Sequence, residues 1–219
     1  SPAALLFSFM ATAWAEDPPL AIEGGAMFDS IAGRMQPGRT IIVEGHRIRA
    51  IGTPDRPVAI PQNARRIDAR GKFLIPGLID AHVHLVHVLD FAQVTGDEVL
   101  PLFLANGVTT VRDTGDEIVA ETVVAHYAES HPDRCPRVFR CSPLIDADPP
   151  THRDIGRAVT DPAQVPALVE EMTAWGVTTL KIYAGSTRPV GRRVIEEGHR
   201  RGLAVTGHLG NYAAQDAVA

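Results

Sequence analysis

Two histidines stand two residues apart in Ile79-Asp80-Ala81-His82-Val83-His84, at the end of an apolar run that opens with Phe73-Leu74-Ile75-Pro76-Gly77-Leu78. In an extended strand, residues i and i+2 share a face, so His82 and His84 point together with Asp80 behind them. Two neighbouring imidazoles repel when both are protonated, and a divalent cation relieves this by taking both as neutral ligands. An H-x-H pair alone is weak evidence, because surface histidine pairs are common. Its place directly after Pro76-Gly77-Leu78-Ile79 strengthens it. Lys181 is the second unusual residue, in Val177-Thr178-Thr179-Leu180-Lys181-Ile182-Tyr183. A cation in an apolar strand is costly to bury and tends to lose its proton; the plainer alternative is a lysine that snorkels from the strand end. A neutral amine can take up CO2.

These side chains need a scaffold, and the pattern of the chain supplies one. Residues 16–72 suggest a small β-domain. Thr40-Ile41-Ile42-Val43, the turn Glu44-Gly45 and the alternating His46–Ile51 predict a hairpin of an antiparallel sheet, and Thr53–Ala64 is a connection rich in Pro and Arg. From Phe73 the rhythm becomes strand then helix. Strands are predicted at Phe73–Val83, Val108–Arg112, Val138–Ile145, Val177–Tyr183 and Leu203–Gly207. Helices are predicted at Asp97–Asn106, Ile118–Glu129, from an Asp161 cap to Trp175, and at Pro189–Arg201. Such alternation implies parallel strands with helices outside, and in a barrel of this type the chemistry sits at the C-terminal ends of the strands. His82 and His84 end the first of these strands. A complete barrel takes about 250 residues, so residues 73–219 hold an incomplete one.

The 219 residues are 45% apolar and 21% charged, with a net charge of −5 and no block of Lys or Arg. That suits a globular protein with a real core and offers no surface for nucleic acid or anionic membrane. Ala3–Ala15 is an apolar stretch that ends in Ala13-Trp14-Ala15 and turns polar at Glu16-Asp17-Pro18-Pro19. It has the form of the end of a secretory signal peptide (residues 1–15) and is too short to span a bilayer. The mature protein is therefore expected to be periplasmic or secreted, with no membrane span. That compartment permits disulfides, yet Cys135 and Cys141 flank a strand-like run. Six extended residues place them about 20 Å apart, beyond the roughly 7 Å of bridged Cα atoms, so no bridge is expected between them.

The run Phe73-Leu74-Ile75-Pro76-Gly77-Leu78-Ile79-Asp80-Ala81-His82-Val83-His84 follows a small β-rich segment and precedes Gly107-Val108-Thr109-Thr110-Val111-Arg112-Asp113. In these features the chain resembles the amidohydrolase superfamily, and within it the prolidase-like and imidazolonepropionase-like metallohydrolases, over about residues 20–210. The resemblance implies an α/β fold: a partial TIM (β/α)8 barrel of about five strands, residues 73–219, preceded by part of a small β-sandwich, residues 16–72. It implies that His82 and His84 hold metal, that carboxylated Lys181 is the catalytic bridge between two metals, and that His208, in Val205-Thr206-Gly207-His208, holds the second. The implied cofactors are two Zn2+ and the CO2 consumed by Lys181, although ligands that are N and O only also tolerate Mn, Fe or Co. The family pattern further includes a His on the sixth strand and an Asp on the eighth, both beyond Ala219. The chain is thus expected to be the N-terminal part of an enzyme, retaining metal weakly and showing no turnover by itself.

Softer candidates surround these. His87 follows the first strand and either lines a pocket or does nothing. Asp113 either supports a ligand imidazole, as in many metal sites, caps a helix or touches substrate. Tyr183 shares a face with Lys181, where it packs in the core or hydrogen-bonds substrate, and His152 with Arg153 could meet a substrate carboxylate. His46, His126, His131 and His199 receive no role. The expected reaction is hydrolysis of a carbon–nitrogen bond in a small amide, dipeptide or cyclic amide by metal-activated hydroxide. The rivals are an esterase, lactonase or phosphotriesterase on the same hardware, and a metal-free binding protein on a barrel-derived fold. Formation of a homo-oligomer is one way to cover the edge of an open sheet.

Overall fold

A computed structural model describes residues 17–210; the leader expected at residues 1–15 lies outside them. The chain divides into two compact units, Ser1–Pro76 and Gly77–Ala219.

The first unit is built on β1 (Leu20–Asp29), β2 (Arg34–Glu44), β3 (Arg47–Gly52), β4 (Arg65–Asp68) and β5 (Phe73–Leu74). They form one sheet in the order β3-β2-β1-β4, with β5 also beside β1. The expected hairpin is β2 against β3, Glu44 opposite Arg47. The sequence suggested an antiparallel sheet, but β4 and β5 both run parallel to β1, pairing Leu20 with Arg65 and Ala26 with Phe73. The sheet is therefore mixed. Residues 53–64 account for this: a two-residue turn can only reverse the chain, whereas a long connection returns it in the starting direction.

The second unit alternates strands with helices. Its elements are β6 (Leu78–Val83), α1 (Val88–Ala92), α2 (Gly96–Ala105), β7 (Val108–Asp113), α3 (Ile118–Ser130), β8 (Arg137–Phe139), β9 (Cys141–Asp146), β10 (Gly156–Ala158), α4 (Val165–Ala174), β11 (Thr179–Ile182), α5 (Arg188–Arg200) and β12 (Ala204–Gly207). The strands make a three-stranded sheet, β6-β7-β8, and a four-stranded sheet, β10-β9-β11-β12, and every pairing is parallel. Local signals set the helices. The Thr95 N–H donates to the Glu98 carboxylate at 2.8 Å in a capping box before α2. Gly107 then turns the chain at φ 83°, a conformation that costs glycine little. Glu117 caps α3 by accepting from Val119 and Ala120 N–H.

Three expectations need correction. The apolar run Phe73–Val83 is not one strand: β5 pairs with β1, and β6 begins only at Leu78. Pro76 lacks an N–H for a ladder and fixes φ, so pairing cannot pass through it. The third strand, Val138–Ile145, is divided at Arg140, with β8 pairing β7 and β9 pairing β11. The Arg140 carbonyl accepts from Thr178 N–H at 3.0 Å, which marks the change of neighbour. Asp161 does act as a cap, accepting from Ala163 N–H, but of a 3-10 turn at Pro162–Gln164 that precedes α4.

Two apolar clusters hold the second unit. Leu168, Val169 and Met172 of α4 and Val190 and Val194 of α5 pack with Ile145, Leu180 and Ile182. Leu100 of α2 and Ala128 of α3 pack with Leu85, Val111 and Cys135. Each fully buried Leu, Val or Met contributes roughly 1.5–3 kcal/mol. Cys135 and Cys141 are both buried and free. Among the described residues no helix is long and apolar enough to cross a membrane.

Candidate active site

In each parallel sheet the strands end at a common edge, and the chemically active side chains collect there. His82 lies on β6 and His84 just past it; Asp113 ends β7 and Asp146 ends β9; Lys181 and Tyr183 lie on and after β11; His208 follows β12. Their rings close a circuit. Centroids are 5.5 Å apart for His82–His84, 6.2 Å for His84–His87, 5.8 Å for His87–His152, 5.4 Å for His152–Tyr183, 4.7 Å for Tyr183–His208 and 6.4 Å for His208–His82. A cavity of about 140 Å³ is lined by His84, His87, His152, Lys181, Tyr183 and His208. His82, His84, Lys181 and His208 thus come together at one rim.

Lys181 is 2% exposed. Burial pulls its amine below the ordinary lysine range, and the Arg112 guanidinium acts in the same direction, against the Cys141 sulfur. His82 and His208 are also held below the usual imidazole range, first by desolvation and next by the charge of Lys181. For the two histidines the direction favours the neutral ring, the form in which histidine binds a metal. His84 Nδ1 sits 3.0 Å from the Gly115 carbonyl. A ring that donates there is fixed in tautomer and presents Nε2 as the lone-pair nitrogen, with the Thr114 hydroxyl 3.5 Å from it; a backbone carbonyl on the far nitrogen is the usual arrangement behind a metal-binding histidine. The donor set fits a divalent cation.

His84, Asp113 and Asp116 also bring one ligand atom each within 4.8 Å of the others, close enough to share a cation. Their hydrogen bonds favour a supporting role for the two acids. Asp113 accepts from Leu85 N–H at 2.8 Å and Gly115 N–H at 2.9 Å, and Asp116 from Val86 N–H at 2.8 Å and His87 N–H at 3.1 Å. Between them they hold the loop that carries His84 and His87. Asp113 is fully buried, and its carboxylate is engaged with the backbone of Leu85 and Gly115. Burial first, then the charge of Asp116, pushes the Asp113 carboxyl well above the usual range.

Of the other candidates, His87 lines the cavity with Nδ1 2.9 Å from the Asp90 carboxylate. His152 Nε2 and Tyr183 Oη hydrogen-bond at 3.0 Å across the cavity lining, so Tyr183 is not simply a core residue. Arg153 is exposed and is not part of that lining. Sequence reasoning missed Asp116 and Asp146, each a carboxylate at or just past the end of a strand and buried. A partial signal exists only for Asp146, an acid that ends the apolar run Pro143-Leu144-Ile145 and must find donors if buried.

Residues 73–218 match the model of the amidohydrolase family. The adenine deaminase of Listeria monocytogenes is 36% identical over 99 residues, 45% of this chain and 15% of that protein. The imidazolonepropionase of Treponema denticola is 48% identical over 48 residues, 22% of this chain and 12% of that protein. A prolidase solved with N-methylphosphonate-L-proline superposes with a TM-score of 0.73 at 23% identity, over 87% of this chain and 56% of that one. The chain therefore spans a small part of these curated relatives and little more than half of the solved one, and the last likeness concerns the fold.

Proposed function

The chain belongs to the amidohydrolase family, and from that premise we propose that it carries most of the metal-binding rim of a hydrolase for carbon–nitrogen bonds in small molecules. The observation that supports this best is the convergence of His82, His84 and His208 with a buried Lys181 at one strand-end edge. His82 and His84 would hold one divalent cation and His208 a second. Lys181, as its carbamate, would bridge them, and two Zn2+ suit these donors. Such cations supply a nucleophile from water near neutral pH and polarise the bond to be cleaved. The protein's own residues do the rest. The Gly115 carbonyl and the Asp113 and Asp116 carboxylates fix the His84 ring and its loop, while His152 and Tyr183 present a hydrogen-bonded pair to a substrate oxygen. His87 closes the lining between them.

The relatives named above are an adenine deaminase and an imidazolonepropionase, and the solved neighbour is a prolidase. We take as substrates small amides, Xaa-Pro or N-acyl dipeptides, or aminated heterocycles. The scaffold belongs to the same proposal: residues 73–219 as the first strands of a TIM barrel, residues 16–72 as part of a β-sandwich, and export to the periplasm or outside on a leader at 1–15. The test is zinc loading in the presence of bicarbonate, at the full length the gene encodes, followed by assays on these amides beside esters, lactones and phosphotriesters. Stoichiometric metal with C–N cleavage is expected. Turnover confined to esters or phosphotriesters would transfer the site to the rival reaction class, and a chain that binds no metal would end the proposal.

A further inference from the structure

The His152–Tyr183 hydrogen bond joins the loop after β9 to the turn after β11, and both side chains are half-buried. A single carboxylate lies between the loops. Asp146, 1% exposed, accepts from Thr151 N–H at 2.7 Å through Oδ2 and from Gly185 N–H at 2.8 Å through Oδ1. Thr151 immediately precedes His152, and Gly185 is two residues past Tyr183. The approach to Gly185 is tight: a Cβ there would lie 2.6 Å from Asp146 Oδ1, so a side chain at 185 would push the carboxylate away. The neighbouring backbone reinforces the junction, Tyr183 N–H donating to the Ile145 carbonyl at 2.8 Å. Burial works to raise the Asp146 pKa, but the N–H groups of Thr151, Ala147 and Gly185 and the Thr151 side chain outweigh it and keep the carboxyl below its usual range.

We propose that Asp146 is a positioning residue: its carboxylate ties the loop bearing His152 to the turn after Tyr183 and thereby sets the bond between imidazole and phenol. The inference rests on the hydrolase reading of this rim, in which the pair faces substrate. Asp146 touches no reacting atom. It acts by making the pair preformed, so that substrate meets a fixed donor instead of two mobile rings.

The test uses the full chain labelled with 15N-histidine, with the His152 resonances assigned through His152→Gln. An imidazole held by one hydrogen bond keeps one tautomer and gives two well-separated ring-nitrogen resonances; a released ring averages them. Asp146→Asn is close in shape but turns one accepting oxygen into an NH2 that faces an N–H. Thr151→Pro leaves Asp146 in place and removes its partners on the His152 side, the Thr151 N–H and the Thr151 side chain. Both variants are expected to lose the separated His152 pair while zinc stoichiometry and the far-UV circular dichroism stay as in the unmodified chain. Unchanged His152 resonances in Asp146→Asn overturn the proposal. So does global unfolding of that variant, because the role assigned is local. If the unmodified chain binds no zinc yet its His152 signature responds to Asp146→Asn, the hydrolase reading fails and the anchor stands.

Discussion

The two halves of the candidate site are held by different physics. His82 lies on β6 and His84 just past its end; β6 is an edge strand of its sheet, where Leu78 is 51% and Ile79 69% exposed despite their apolar character. Lys181 belongs to β11, an inner strand between β9 and β12 whose four residues are all buried. Packing can fix a side chain on β11. On β6 it cannot, and the load passes to polar contacts: Asp113 and Asp116 grip the following loop through three backbone N–H groups, those of Leu85, Val86 and His87, and the Gly115 carbonyl takes the His84 ring. The same kind of site is thus half hydrogen-bonded and half packed, and each half should fail to a different perturbation.

The largest effect is expected at a buried acid on α3, beside Asp116 and Arg140. Glu121 on α3 is fully buried, and burial lifts its pKa from 4.5 to about 8 against the opposing pull of the Arg140 charge and the Cys141 backbone. Below pH 4.5 the acid is neutral in the folded and unfolded states alike. Between 4.5 and about 8 only the unfolded chain gives up its proton, so stability falls as pH rises, and above about 8 the loss is complete. At about 1.4 kcal/mol per pKa unit, Glu121→Gln should end up more stable than the unmodified chain by several kcal/mol at pH 9 and indistinguishable from it at pH 4. Urea unfolding across that range measures this. Parallel curves for the two proteins would remove the buried acids from the comparison.

How far the sequence disclosed these halves depends on the range over which each signal acts. The His82–His84 pair is legible because strand alternation is local, and Lys181 because a cation in an apolar run is anomalous wherever it falls. The alternation of strands and helices follows equally from local period. The break at Pro76 was legible in principle, since proline cannot pair in a ladder, but the apolar run on both sides masked it. The division at Arg140 was not, because it arises from a change of neighbour, Thr178, far along the chain. Asp116 and Asp146 escaped for the same reason: their donors at Val86, His87 and Gly185 lie 29 to 39 residues away in sequence.

The packed half breaks differently. Lys181→Met keeps the length and apolar stem of the side chain but removes the nitrogen that would carry the carbamate. Zinc retention should fall by more than the roughly 10–100-fold that removal of an outer partner costs. The fold should hold or gain about 1–2 kcal/mol, because a desolvated amine is replaced by an apolar end. Metal stoichiometry and a melting curve on the same sample check both. A variant that loses stability along with metal would show that Lys181 holds the fold together.

Asp116→Asn sharpens the contrast from the hydrogen-bonded side. The amide can accept from only one of the Val86 and His87 N–H groups, so the loop carrying both histidines should loosen while β11 stays as it is. Competition against a zinc chelator should show an affinity about 10–100-fold lower, with Lys181 still buried. An equal loss in Asp116→Asn and Lys181→Met would mean that the halves do not act separately.

The smallest effect is expected where a hydrogen bond is removed from the packed half. Tyr183→Phe deletes the 3.0 Å bond to His152 at a half-buried position, next to a strand fixed by Leu180 and Ile182 in the core. A bond of this kind contributes about 0.5–1.5 kcal/mol, and solvent can replace part of it here, so the stability change should lie within about 1 kcal/mol and zinc affinity should not move. Denaturant unfolding with a parallel zinc titration decides it. A large drop in zinc affinity would show that β11, like β6, depends on a polar clasp at its end, and the distinction between the two halves would then be one of degree.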